Sequence, residues 1–161
     1  MTNLLKSILL FFLFLMPMHN YAAQEKSQIG IGLASWAIFD DDDRKAVHLT
    51  YSLPAIRTLY DIKPVFLVAV AEQGQRYFAW GGNLDFYKVG IMSVGIGFHA
   101  GFIDRPKGLG HKVEYYSSFY TSYNITNNSS LKAEVGHISN GGFGDKNPGS
   151  ESLVISFFHS F

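Results

Sequence analysis

A two-residue alternation of apolar with small or polar side chains recurs along the chain and constrains its fold more than any other feature. Val47, Leu49, Tyr51 and Leu53 alternate with His48, Thr50 and Ser52, and Phe78, Trp80, Leu84 and Phe86 with Ala79, Gly81, Asn83 and Asp85. Met92, Val94, Ile96, Phe98 and Phe102 alternate with Ser93, Gly95, Gly97 and His99, and Leu153, Ile155, Phe157 and Phe161 with Ser152, Ser156 and Ser160. Successive side chains of a strand point to opposite faces, so each segment presents one apolar face and one small or polar face. Four further segments, near 28–39, 62–72, 112–123 and 130–140, alternate less cleanly. No long pattern of helical period competes with them.

Turn-like stretches separate these eight segments: Asp40–Asp43, Glu72–Gly74, Asp104–Gly110, Asn124–Ser130 and Gly141–Ser150. Eight strands close a small barrel, and membrane-crossing strands run ~9–11 residues. An apolar outer wall around a small or polar interior is the pattern of a membrane barrel. The expected fold is all-β, an eight-stranded antiparallel transmembrane β-barrel of the bacterial outer membrane. A soluble eight-stranded barrel or sandwich would alternate too, and the chain's end favours the membrane. It closes on Phe161, with Phe157, Ile155 and Leu153 at alternate positions before it. This resembles the C-terminal signature of outer-membrane barrels, from which His159 departs, standing where those proteins usually carry an aromatic.

Composition narrows the function. Charged residues make up 16% of the chain, below the ~25% of an ordinary soluble domain. Thirteen basic residues balance thirteen acidic ones, which argues against a nucleic-acid partner. The absence of cysteine excludes a disulfide scaffold, a Cys-ligated zinc site, a cysteine nucleophile and an acylated N-terminal Cys anchor. Leu4–Met16 is an apolar run with Lys6 near its start; Pro17 breaks it, and Tyr21-Ala22-Ala23 ends it with small residues. The run falls short of the ~20 residues of a spanning helix and reads as a secretory signal peptide over 1–23, which leaves 24–161 for the barrel. With both termini in the periplasm, the outer loops fall near 40–45, 73–76, 104–111 and 141–150. The inner turns fall near 54–61, 87–89 and 124–129.

One constellation carries chemistry. Parity along 131–140 places Leu131, Ala133, Val135, His137 and Ser139 on the lipid-facing side, and Lys132, Glu134, Gly136 and Asn140 on the lumen side. Glu151 shares parity with Leu153, Ile155 and Phe157, and an antiparallel pairing near 137 with 151 sets all three polar side chains on one face. Ionisable groups at membrane depth are costly and point to function. A serine, a histidine and a carboxylate together form a nucleophilic triad, with the histidine as base and the carboxylate orienting it. Ordinary rim residues and a loop charge are the bland alternative.

The stretch His137-Ile138-Ser139-Asn140-Gly141-Gly142, followed by Asn147-Pro148-Gly149 and Glu151-Ser152, resembles the lipid A 3-O-deacylase family of outer-membrane enzymes. The match is closest over 135–153, and the strand pattern, leader and terminal Phe extend it more weakly over the rest. The resemblance implies a serine esterase that hydrolyses the 3-O-linked acyl chain of lipid A in lipopolysaccharide, from an active site on the barrel's outer wall at the level of the outer leaflet. It implies Ser139 as nucleophile, His137 as base, Glu151 as the orienting carboxylate, and an oxyanion hole from the Gly142 N–H and the Asn147 side chain. Asn140 occupies a motif position and enters as a supporting residue. No metal or other cofactor is implied; the expected partners are lipid A and outer-membrane lipid, and a homodimer is left open. Two rivals stand beside this reading: a non-catalytic structural or adhesive barrel, and a soluble periplasmic lipid-binding barrel. The Asp40–Asp43 run reads as a solvated loop, and His48, His99, His111 and His159 have no metal-ligand spacing. Arg44, Lys45, Arg76, Arg105, Lys107, Lys112 and Lys146 fall in or beside outer loops, where acidic neighbours offset them.

Overall fold

A computed structural model describes residues 26–38, 44–106 and 108–161; the expected leader (1–23), the Asp40–Asp43 run and Lys107 lie outside them. Eight strands follow in chain order: β1 (Gln28–Trp36), β2 (Arg44–Ser52), β3 (Lys63–Ala71), β4 (Arg76–Val89), β5 (Met92–Ile103), β6 (Val113–Thr126), β7 (Ser129–Ser139) and β8 (Ser150–Ser160). Each pairs antiparallel with its neighbours in sequence, and β1 pairs with β8 to close the barrel. Closure leaves no strand edge unpaired, the condition for backbone to cross a membrane as a sheet. Among the described residues no helix is long and apolar enough to cross one.

The alternation sorts the side chains as expected. Leu33, Leu49, Phe66, Trp80, Phe98 and Phe102 stand exposed on the outer wall, while His48, Thr50, Ser52, Asn83 and His99 are buried inside. Large apolar side chains facing outward around the whole circumference would be untenable in water and suit a bilayer. Side chains fill the lumen below a cavity at one mouth. In the half nearest the 104–112 and 140–149 loops Leu67, Ala69, Tyr77, Ala79, Ile103, Tyr116 and Ile138 cluster, with Trp36 and Leu109 packed against them. Below them Glu134 accepts from Tyr116 OH (2.8 Å) and pairs with Lys132 Nζ (2.6 Å), whose ammonium lies 5.0 Å above the centre of the Tyr120 ring. Gly136 makes room for this arrangement, because a Cβ there would collide with the Tyr116 ring. Glu134→Ala would leave the Lys132 ammonium buried without its carboxylate. It is expected to lower unfolding stability by about 3–5 kcal/mol, read as a lower midpoint in denaturant titration of the micelle-bound barrel.

Strand limits differ from the sequence expectation: β2 and β4 begin at Arg44 and Arg76, inside the loops expected at 40–45 and 73–76, and three further differences have a visible cause or consequence. The first strand stops at Trp36, not 39, because Ala37 takes a left-handed conformation (φ 60°) and its N–H turns to Glu151 O at 2.8 Å. The inner turn expected near 87–89 is strand. A register shift between Asp85 and Tyr87 breaks the alternation, leaving both Phe86 and Tyr87 exposed, and the chain reverses at Gly90–Ile91. The turn expected at 124–129 is shorter, since β6 runs to Thr126 and β7 begins at Ser129. The four loops that include 104–112 and 140–149 lie at one end of the barrel, and both termini of the barrel lie at the other.

Candidate active site

The end of β7, the start of β8 and the loop between them build the site. In register, His137 stands directly opposite Glu151, as the pairing expected from parity requires. The His137 Nδ1 lies 3.2 Å from Glu151 Oε1. Both side chains are roughly half exposed on the outer wall, at 46% and 39%. A carboxylate at Nδ1 holds the proton there and leaves Nε2 as the basic nitrogen. Glu151 is itself anchored through its carbonyl, which accepts the Ala37 N–H from the β1–β2 loop. Ser139 lies two residues beyond His137 on the same outward face, and among the described residues its hydroxyl has no hydrogen-bond partner. Catalytic hydrogen bonds of this kind often tighten only around a substrate.

Aromatic rings flank the serine. Tyr115 on β6 is the cross-strand partner of Ser139, and its ring sits between Phe98 (5.9 Å) and Phe143 (6.1 Å). These rings continue the apolar outer wall up to the polar triad. A second serine, Ser117 on β6, is in register with His137 and points outward with it. Sequence reasoning passed over Ser117, because only the β6–β7 register places it beside the histidine.

Asn140, fully buried, organises the loop. Its Nδ2 donates to Leu109 O (2.8 Å) and Lys146 O (2.7 Å), and its Oδ1 accepts the Gly142 N–H (2.9 Å). Its own backbone N–H donates to Asn147 Oδ1 at 3.0 Å. A backbone N–H can only donate, so this bond fixes Asn147 with its oxygen inward and its Nδ2 at the exposed end. Among the described residues Nδ2 has no protein partner. The Gly142 N–H, by contrast, is engaged with Asn140, and Gly142 itself is left-handed (φ 86°) with open space where a Cβ would stand. Of the two expected oxyanion donors, the Asn147 amide is free and the Gly142 N–H must be shared.

A cavity of about 190 Å³ occupies the lumen mouth behind the β7–β8 loop, bordered by Trp36, Tyr77, Ile103, Ile138, Pro148 and Gly149 among others. Neither Ser139, His137 nor Glu151 lines it, so the polar triad belongs to the outer wall and not to the lumen. Among the described residues no group of three or more His, Asp or Glu side chains is gathered as metal ligands.

A closed antiparallel barrel of eight strands with an apolar outer wall defines the class: a small membrane β-barrel. The chain belongs to the lipid A 3-O-deacylase (PagL) family, whose sequence profile matches residues 19–160. Among solved structures it is similar to the outer-membrane enzyme PagL, at 13% identity and TM-score 0.66 over 83% of this chain and 99% of that one. It is also similar to Neisserial surface protein A, at 15% identity and TM-score 0.58 over 84% and 96%. A de novo designed transmembrane β-barrel aligns at 8% identity and TM-score 0.65, over 86% and 98%. A search of curated protein sequences finds no match. The structural likenesses carry the fold; the family profile carries membership of the deacylases.

Proposed function

We propose that this protein is a serine esterase that removes the acyl chain ester-linked at position 3 of lipid A, releasing a 3-hydroxy fatty acid. The observation that carries this reading is the His137–Glu151 contact on the outer wall, with Ser139 on the same face and the Asn147 amide free beside it. The N-terminal segment directs export, the termini lie in the periplasm, and the triad faces the outer leaflet. Lipid A already sits there with its acyl chains in the bilayer, so a wall-mounted site reaches the ester without extracting the lipid.

Ser139 Oγ gives its proton to His137 Nε2 and attacks the ester carbonyl carbon. The carbonyl oxygen becomes an oxyanion, which the Asn147 Nδ2–H and the Gly142 N–H stabilise. The intermediate collapses, the C–O bond to the sugar breaks, and His137 returns the proton to the departing sugar oxygen. Water then gives a proton to His137 and attacks the acyl-serine, and Ser139 recovers its proton as the 3-hydroxy acid leaves. Glu151 stays ionised throughout and holds the imidazole by Nδ1.

The test is the purified barrel in detergent micelles with defined lipid A. The expected product lacks one 3-hydroxyacyl group at position 3; release from another position, or no release, overturns the reading. Glu151→Gln keeps the side-chain shape and removes the charge that supports the imidazolium. It is expected to lower kcat roughly 10²–10⁴-fold with little change in KM, measured in the same micelles.

A further inference from the structure

We propose that Gly149 is a positioning residue whose missing side chain leaves the His137 ring room to stand where it does. Gly149 lies next to the imidazole, just before β8 begins. A Cβ at Gly149 would stand 2.5 Å from His137 Cε1 and 3.1 Å from Nε2, the nitrogen that must face Ser139. Gly149 also has φ 69°, in the left-handed region that glycine enters freely. Two independent features of one residue thus disfavour a side chain, and the collision falls on the Cε1–Nε2 edge of the ring.

The backbone cannot retreat to relieve that collision. Upstream, Asn140 grips Lys146 O at 2.7 Å and the Asn147 side chain at 3.0 Å. Downstream, Ser150 is already in register with Ile138 in the β7–β8 ladder. Gly149 is therefore held at a fixed depth between two anchored points, although the lumen cavity lies open on its other side. With Glu151 at Nδ1, a side chain at 149 would press on the opposite, Cε1–Nε2 edge of the ring. A methyl group at 149 would displace the ring from its present place beside Ser139's strand end while leaving the β-ladder of the barrel wall paired. Misplacing a catalytic group by about 1 Å can cost on the order of 10² in rate.

This inference rests on His137 acting as base towards Ser139, and the experiment separates the two ideas. The refolded wild-type, Gly149→Ala and Gly90→Ala proteins are treated in micelles with a long-chain alkyl phosphonate that labels activated serines. Gly90 has φ 57° at the far end of the barrel with nothing within 4 Å of a Cβ, so it carries similar backbone strain without the contact. Labelling of Ser139 is expected to fall about 10²-fold in Gly149→Ala and to stay near wild type in Gly90→Ala. With lipid A, Gly149→Ala is expected to lose kcat with KM held, counted per folded barrel from the heat-shifted band on a gel, so that a loss of folded protein is not read as a loss of turnover. Equal labelling of wild type and Gly149→Ala overturns the positioning role. No labelling of the wild type overturns the underlying triad. Should Gly149→Ala not fold, wild-type protein decides: an NOE between Gly149 Hα and His137 Hε1 is expected, and its absence in an assigned spectrum refutes the contact.

Discussion

Ser139→Ala is expected to reduce acyl release roughly 10⁴–10⁶-fold, to background, while the barrel still folds and shifts on heating in a gel. The size follows from losing the only atom that forms a bond to the substrate. The folding expectation follows from position, because Ser139 ends β7 on the outer wall and its hydroxyl bonds to no other described residue. His137→Ala is expected to cost a comparable factor, since nucleophile and base act as one unit. Ser117 is the competing candidate, being in register with His137. It is a worse nucleophile on position alone. Ser139 stands at the strand end beside the loop that carries Asn147 and Gly142, whereas Ser117 lies one outward row, about 7 Å, further from those donors. Ser117→Ala is therefore expected to keep most turnover; the reverse outcome, an active Ser139→Ala and an inactive Ser117→Ala, would reassign the nucleophile.

The second large effect is expected at Asn147. Its Oδ1 accepts the Asn140 N–H, which leaves Nδ2 as the donor end. Removing one oxyanion donor costs about 10²–10³ in rate. Asn147→Ala removes both the donor and the loop bond, so it cannot separate the two roles. Asn147→Asp can, because the carboxylate still accepts from Asn140 but has no N–H to give and sets a negative charge beside the forming oxyanion. Asn147→Asp is expected to match or exceed the loss in Asn147→Ala, in kcat and not in KM. A mild Asn147→Asp with an impaired Asn147→Ala would reduce Asn147 to a loop cap and leave the oxyanion to backbone groups.

The parts of this protein that were legible in its sequence are those where one physical demand acts on every second residue. A lipid-facing wall must be apolar and a narrow lumen must be small or polar, so parity assigned His48, His99 and Glu134 inward and Leu49, Phe98 and Val135 outward, where they are found. Parity also brought His137 and Glu151 to one face, and the register sets them opposite each other. It failed where register shifts locally. Beside the irregularity between Asp85 and Tyr87, Asp85 bonds Lys63 on β3 and Tyr120 on β6, contacts that no alternation records. Ser117 was invisible for the same reason, since its meaning lies in the offset between β6 and β7. The role of Asn140 was hidden differently. Its side chain is read by the carbonyls of Leu109 and Lys146, and a backbone partner leaves no mark on residue type.

Mass analysis of lipid A bears most directly on the central claim. Lipid A would be isolated from cells producing the wild-type protein, the Ser139→Ala variant, or neither. The account predicts loss of the mass of one 3-hydroxyacyl group from position 3 with the wild type only. Unchanged lipid A in cells with folded wild-type protein in the outer membrane, or the same loss with Ser139→Ala, would contradict it.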